Sequence, residues 1–181
     1  MIGSLSGVMS MSRSDFSFPV LEPCLNRRTL VLGAGAFALA GLAGCGSLSR
    51  QGAGGGASTS ASAAMAGIRN AEGLPVLSPD SQLERAALQQ AHYMAASRSM
   101  THTTGFGKGF PTRVKSNGIK GAAAENIAEG RMDVARAIDM WMNSPPHRRN
   151  MLDSRFHRFG LAWASGPDRP EWRYWAMVLA S

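Results

Sequence analysis

A carboxylate, an amide and an imidazole flank one short amphipathic segment in the stretch AAAENIAEGRMDVARAIDMWMNSPPHRRNML, residues 122–152. Glu125 and Asn126 precede the segment, and His147 follows it. An imidazole and a carboxylate that share a pocket can exchange protons with a substrate or ligate a divalent cation. The stretch is therefore either a functional site or a helix whose ends carry polar residues.

The helices that would position these side chains are visible in the apolar spacing. Four residues follow the i, i+3, i+4, i+7 rule and predict a helix from Asp133 to Asn143 that the two following prolines stop: Val134, Ala137, Ile138 and Trp141. An earlier helix is predicted with Ser78 as its cap and Pro79 in its first turn, running to about Ser97. Its apolar face consists of Leu83, Ala87, Ala91 and Met94.

The last third of the chain changes from helical to strand periodicity. A glycine-rich stretch comes first, with one short helix predicted from Pro111 to Ser116. In the segment RFGLAWAS that follows, large apolar residues stand at every second position, and the segment EWRYWAMVLAS is rich in aromatic and branched residues. The residues GPDRP between them predict the turn of an antiparallel hairpin. Helices first and strands last favour an α+β layered domain over a parallel sheet.

The N-terminal residues have the pattern of an export signal. Arg27 and Arg28 precede an uncharged run from Thr29 to Gly44, too short for a comfortable membrane span, so residues 1–44 are predicted to be a signal peptide. The run ends in LAGC, Leu42 to Cys45, which resembles the bacterial lipobox. That resemblance implies a lipidated Cys45 and a membrane-anchored envelope lipoprotein, in the outer membrane if the cell is diderm. Export by the general or the twin-arginine route stays open, as does a buried helix with a chance cysteine.

The mature chain is expected to be one basic domain on a tether. Residues 45–67 are rich in Gly, Ser and Ala and are predicted to be flexible, and residues 68–181 are long enough for a single core. From Cys45 onward 16 Lys and Arg stand against 10 Asp and Glu. With an export signal this balance indicates lipid head groups or cell-wall polymers as partners, and no nucleic acid.

Four segments in order carry a family resemblance: MTHTTGF, AAAENIAEG, WMNSPPHRRNML and FGLAWA. Together they are similar to the bacterial branch of the CAP or SCP domain family, which includes cysteine-rich secretory proteins, antigen five and pathogenesis-related proteins. The similarity covers residues 74–181. It implies a three-layer α-β-α sandwich around a small antiparallel sheet, in agreement with the helix-then-hairpin pattern.

The resemblance also implies a cleft with two histidines and two acidic residues that holds zinc or another divalent cation in some members. His102 and Glu125 match the first histidine and the first acid. The second pair is missing, because Ser144 stands where the family has glutamate and Tyr174 lies where its second histidine begins a strand. The expected cleft therefore comprises His102, Glu125, Asn126, Ser144 and His147, although the first interpretation of Asn126 is a residue that ties its own loop through side-chain to backbone hydrogen bonds.

His147 is a candidate replacement for the missing histidine. With His102 and Glu125 it would supply three zinc ligands and leave one position for water. The alternative is that His147 and Arg148 satisfy the carbonyls at the C-terminal end of the preceding helix, where a cation is favoured.

Three functions are compatible with these residues. The first is a binding module whose cleft takes a small ligand, a lipid or a metal. The second is a metal- or Glu/His-assisted hydrolase of envelope peptides or polysaccharide, with Glu125 as base and His102 as acid or ligand, and the missing second acid counts against it. The third is a surface adhesion or scaffold domain with an empty cleft.

Overall fold

A computed structural model describes residues 52–181, which form one sheet with helices on both of its faces. In chain order the elements are β1 (Gly54–Gly56), α1 (Ser58–Ala71), β2 (Ser78–Pro79), α2 (Ser81–Ser97), α3 (Phe110–Ser116), β3 (Ala123–Gly130), α4 (Val134–Met142), α5 (Pro145–Met151), β4 (Arg158–Gly166) and β5 (Arg169–Ala180). The predicted signal peptide and Cys45 lie outside the described residues.

The sheet is built on the C-terminal hairpin. Its strand order is β1-β4-β5-β3, and all of these neighbours are antiparallel. Two residues of β2 add a short parallel pairing at the start of β4, Ser78 with Arg158 and Pro79 with Phe159. The predicted hairpin is confirmed, and β3 occupies the outer edge beside β5.

Two separate cores fill the two faces of the sheet. One lies under α2 and includes Leu83, Met94, Ile127 and Val178, all buried. The other lies under α1, α4 and α5 and is built on Met65, Trp141, Phe159, Met177 and Leu179. Helix, sheet and helix therefore make three layers, as the family resemblance implies.

Helix α2 starts two residues later than the sequence predicts. Its cap is Asp80, whose side chain accepts hydrogen bonds from the backbone N–H groups of Gln82 at 2.8 Å and Leu83 at 2.9 Å. Ser78 and Pro79 instead pair with β4. The predicted apolar face is correct, because Leu83, Ala87, Ala91 and Met94 are all buried.

Helix α2 lies very close to the sheet at Gly160. A Cβ at this position would lie 2.0 Å from the backbone nitrogen of Glu84 and 2.1 Å from the carbonyl carbon of Leu83. No side chain fits between the helix and β4 there. The lack of a side chain at Gly160 therefore allows the short distance between helix α2 and strand β4.

The predicted tether over residues 45–67 is wrong for its second half. Residues 54–56 form β1, and α1 buries Ala61 and Met65 completely. Arg69, also 0% exposed, donates from its guanidinium to the backbone carbonyls of Pro75, Met151, Asp153 and Phe156. Small residues let this helix pack tightly on the sheet, and alanine has the highest helix propensity. The folded domain therefore begins before residue 68.

The pair Pro145–Pro146 starts a helix as well as following one. Helix α4 ends at Met142, one residue before the predicted end at Asn143, and the prolines then take the first positions of α5, where their missing N–H groups cost nothing. Strand β3 also lies where a loop was expected, at Asn126. Among residues 52–181 no helix has the length and apolar character needed to cross a bilayer.

Candidate functional site

His102 and Glu125 form a hydrogen-bonded pair on the α2 side of the sheet. Glu125 projects from β3, where it lies opposite Val178, and His102 lies in the loop that follows α2. The Nδ1 atom of His102 is 2.8 Å from Oε1 of Glu125. The imidazole is 52% exposed and the carboxylate only 1%, so the pair presents a histidine to solvent and keeps its acid inside.

Arg113 holds the other side of the same carboxylate. Its Nη1 and Nη2 atoms donate to Oε2 and Oε1 of Glu125 at 2.6 and 2.9 Å, a two-pronged contact that is stronger than a single hydrogen bond. Arg113 is 2% exposed, and it also donates to the backbone carbonyls of His102 and Lys108. One arginine thus fixes both Glu125 and the loop that carries His102.

Arg113 was not predicted from the sequence. A signal was available, because a carboxylate expected inside a cleft needs a buried cation or several donors. The predicted helix from Pro111 to Ser116 contains an arginine, and that helix exists as α3. Nothing in the spacing, however, indicates that α3 packs against β3.

The expected metal-ligand set does not fit this geometry. Between residues 52 and 181 no three His, Cys, Asp or Glu side chains lie together in a way that could hold a metal ion. Besides His102, the side chain in contact with Glu125 is the guanidinium of Arg113, which carries its own positive charge. Charge neutralisation of the buried carboxylate is therefore supplied by the chain itself.

His147 lies in the first turn of α5. It is therefore not at the C-terminal end of α4, where the alternative interpretation placed it. Burial, and secondarily the charge of nearby His102, lower the pKa of His147 below its usual range. The neutral imidazole is the form that this environment favours.

Asn126 links helix α5 to strand β3 through hydrogen bonds of its side chain. Its Nδ2 donates to the backbone carbonyl of His147 at 3.1 Å, and its Oδ1 accepts from Nδ2 of Asn150 at 2.8 Å. Asn126 is completely buried and points to the side of β3 opposite to Glu125. It holds α5 in place and does not bond its own loop, which was the alternative interpretation from the sequence.

A cavity of about 280 Å³ runs along the outer edge of β3. Its walls are mainly apolar, with polar groups from Glu129, Ser144 and His147, and the apolar part consists of Met100, Ile127, Ala128, Met140 and Trp141. Met100 and Met140 are 45% and 39% exposed. The indole N–H of Trp141 donates to the carbonyl of Ile127 at 3.0 Å and fixes one wall. Of the five expected cleft residues, two form the His–Glu pair, two line this cavity and Asn126 supports it from behind.

The fold and the sequence are both similar to known proteins. Protein YkwD of Bacillus subtilis is 32% identical over 97 residues, which cover 52% of this chain and 37% of that protein. An outer surface protein of Borrelia burgdorferi matches 71% of this chain and 96% of its own, with a TM-score of 0.60 and 21% identity. An extracellular protein of Bacillus anthracis containing an SCP domain matches 67% of this chain and 39% of its own, with a TM-score of 0.59 and 23% identity.

The match to a family model is the broadest of these similarities in sequence. The model described as the cysteine-rich secretory protein family, CAP, covers residues 63–179 and begins inside α1. The four segments that resemble the CAP family in sequence, and the three-layer sandwich of the structure, agree with this match. The chain belongs to the CAP family of cysteine-rich secretory proteins.

Proposed function

We propose that the protein is an exported, lipid-anchored envelope protein whose CAP domain binds a small amphipathic ligand in the cavity beside β3. The observation that carries this proposal is the cavity itself. Its methionine and tryptophan walls suit an apolar ligand body, and His147, Ser144 and Glu129 provide hydrogen-bonding groups for a polar end. The methionines at the rim can adapt to ligands of different shape.

The state of Glu125 argues for binding rather than hydrolysis. A general base must present an oxygen to a water or to the substrate. Both oxygens of Glu125 already accept hydrogen bonds from Arg113, one of them also contacts His102, and the carboxylate is 1% exposed. Because these contacts already engage both oxygens of Glu125, the proposal does not include a metal.

Export and anchoring rest on the N-terminal sequence and on the names of similar proteins. LAGC behind a basic and apolar leader supports lipidation of Cys45. The two similar structures are named as an extracellular protein and an outer surface protein. An envelope location for this chain is consistent with these names.

Lipidation is tested by incorporation of radiolabelled palmitate in the native host. The wild-type protein should be labelled and should float with membranes, and Cys45→Ser should carry no label because its thiol nucleophile is gone. An unlabelled wild type would remove the anchor from the proposal and leave the cavity untouched.

Ligand binding is tested with cis-parinaric acid on the mature chain produced without its leader. Fluorescence should rise with one saturable site in the wild type. Met140→Glu should weaken the site at least tenfold, because it brings a charge to the apolar wall. Val76→Glu is the matched control, since Val76 is 48% exposed and does not line the cavity.

Two further results separate the alternatives. Zinc titration by calorimetry should give no saturable heat with the wild type. Hydrolysis of envelope peptides or polysaccharide that is lost in Glu125→Gln would favour the enzyme, whereas a wild type that retains no small molecule in native mass spectrometry and binds no probe would favour the scaffold.

A further inference from the structure

The chain enters the folded domain next to the turn of the β4–β5 hairpin. The backbone N–H of Ser165 donates to the carbonyl of Ala53 at 2.7 Å, and β1 then runs antiparallel to β4. Gly52 lies so close that a Cβ there would be 1.6 Å from the carbonyl oxygen of Ser165. The point at which the chain enters the domain, residues 52–53, is therefore fixed at the end of the sheet that carries the β4–β5 turn.

The covalent distance from the lipobox cysteine to this point is short. Eight residue steps separate Cys45 from Ala53, and a fully extended chain spans at most about 28 Å over eight steps. Strand β4 alone has nine residues and is about 30 Å long. An anchor at Cys45 keeps the hairpin turn near the bilayer, and the opposite end of the sheet reaches it only if the linker runs back along the whole strand.

The side chains at this end combine arginines with tryptophans. Arg169 lies over the ring of Trp172 at 4.6 Å, and Arg173 lies over the ring of Trp163 at 4.2 Å. No carboxylate within residues 52–181 lies within ion-pair distance of Arg169 or Arg173, whereas the neighbouring Arg98 is paired with Asp168. Neither guanidinium is therefore neutralised by a direct ion pair, although Asp133 and Glu171 line the same pocket as Arg173.

Arginine and tryptophan together suit the head-group region of a membrane. The indole ring occupies the boundary between polar and apolar layers, and the guanidinium binds phosphate. Anionic lipids also attract basic residues within about a Debye length of the surface. Trp172 and Arg173 are half-buried and Arg169 is exposed, so the groups can contact lipid without unfolding.

We propose that the hairpin-turn surface, defined by Pro167, Arg169, Trp172 and Arg173, docks on the anionic head groups of the bilayer that carries the Cys45 lipid. This inference rests on the proposed anchoring for its distance argument. The docking chemistry itself depends only on the described residues. Docking holds the long axis of the hairpin upright on the membrane.

The test uses the lipidated protein in vesicles and one engineered thiol at a time. Cys24 lies in the predicted leader and Cys45 would be acylated, so an added cysteine is the reactive thiol of the mature chain. Pro167→Cys lies at the turn, and Ser154→Cys lies just before β4 at the other end. Both sites are exposed, and each is labelled with bimane.

Quenching by doxyl-labelled phospholipid reports contact with the bilayer. We expect strong quenching at position 167 and little at position 154 in vesicles that contain phosphatidylglycerol. Arg169→Gln with Arg173→Gln should lower the equilibrium constant for docking about 25-fold, since each arginine contributes about fivefold at an anionic surface. Lys120→Gln with Arg149→Gln removes the same charge elsewhere and should have little effect.

The outcomes separate docking from anchoring. Equal quenching at both positions, or equal loss in both double variants, overturns the docking surface. If Cys45 carries no lipid and the protein does not float, the anchoring proposal fails by itself. The soluble mature chain mixed with the same vesicles then decides docking, because quenching at position 167 should still exceed that at position 154. Binding to purified cell wall without quenching by the lipid would assign the surface to a polymer and overturn the inference.

Discussion

At the scale of single residues, the centre of the site is a carboxylate that the fold removes from water. Glu125 is 1% exposed and is neutralised by Arg113, which is 2% exposed. Burial of such a pair is expensive, and loss of one member leaves an uncompensated charge. The pair therefore keeps its geometry only while both members are present.

Arg113→Met should lower the free energy of unfolding by about 3–5 kcal/mol. Urea denaturation measures the loss. Arg113→Met combined with Glu125→Leu should recover a large part of it, because no charge is then left buried. Arg136→Met breaks an exposed pair with Asp139 and should cost less than about 1 kcal/mol; a similar cost for Arg113→Met would contradict the buried-pair assignment.

Two histidines make the domain sensitive to mild acid. Burial lowers the pKa of His92, and burial with nearby His102 lowers the pKa of His147. The unfolded chain, with an ordinary histidine pKa near 6.5, binds protons more readily than the folded chain. Stability should therefore be complete above about pH 6.5 and should fall as the pH drops through the lowered folded values.

Urea midpoints measured from pH 8 to 5 test this sign. His147→Gln and His92→Gln should each flatten the decline, and the double variant should flatten it most. An unchanged slope in both single variants would show that other groups cause the acid sensitivity.

At the scale of elements, the spacing between α2 and the sheet is set by one glycine. Gly160→Ala places a methyl group about 2 Å from backbone atoms of Glu84 and Leu83, which cannot move without displacing the helix. We expect a loss of about 3 kcal/mol in unfolding free energy. Gly67→Ala is the matched control: Gly67 lies inside α1, a Cβ there meets nothing within 4 Å, and the change should stabilise the helix by about 0.5–1 kcal/mol.

Periodicity explains which elements could be predicted from the sequence. Helices α2 and α4 have a clear apolar stripe, and β4 and β5 are long and apolar, so all four were predicted. Helix α1 was missed because its buried face consists largely of alanine and serine, which also occur in flexible linkers. Strand β3 was missed because Glu125 and Asn126 are buried by partners from α3 and α5, and such tertiary contacts leave no local signal.

The candidate site was predicted only in part for the same reason. The resemblance supplied His102 and Glu125, which the structure places 2.8 Å apart. It did not supply Arg113, and it could not show that His147 lies in the first turn of a helix. The cavity depends on Met100 and Met140, which come from different layers and are 40 positions apart in the sequence.

At the scale of the whole molecule, the domain needs residues that the sequence predicts to be a tether. Removal of residues 52–67 deletes β1 and most of α1, including the buried Ala61 and Met65. We expect a fragment of residues 68–181 to be unfolded by circular dichroism and amide exchange, and a fragment of residues 52–181 to fold. A folded shorter fragment would show that α1 is dispensable.

Strand β1 is also the first part of the domain to bear any mechanical pull on the N-terminal side of the chain. Its three glycines add no side chain to the core, so backbone hydrogen bonds to β4 hold it, including those of Ser165 N–H with Ala53 O and Ala57 N–H with Leu161 O. A force along the strand axis loads these bonds together in shear, whereas a sideways force breaks them one at a time. A protein held upright on its membrane would therefore resist a pull on its N-terminal side, whereas one lying on its side would lose the hydrogen bonds of β1 one at a time.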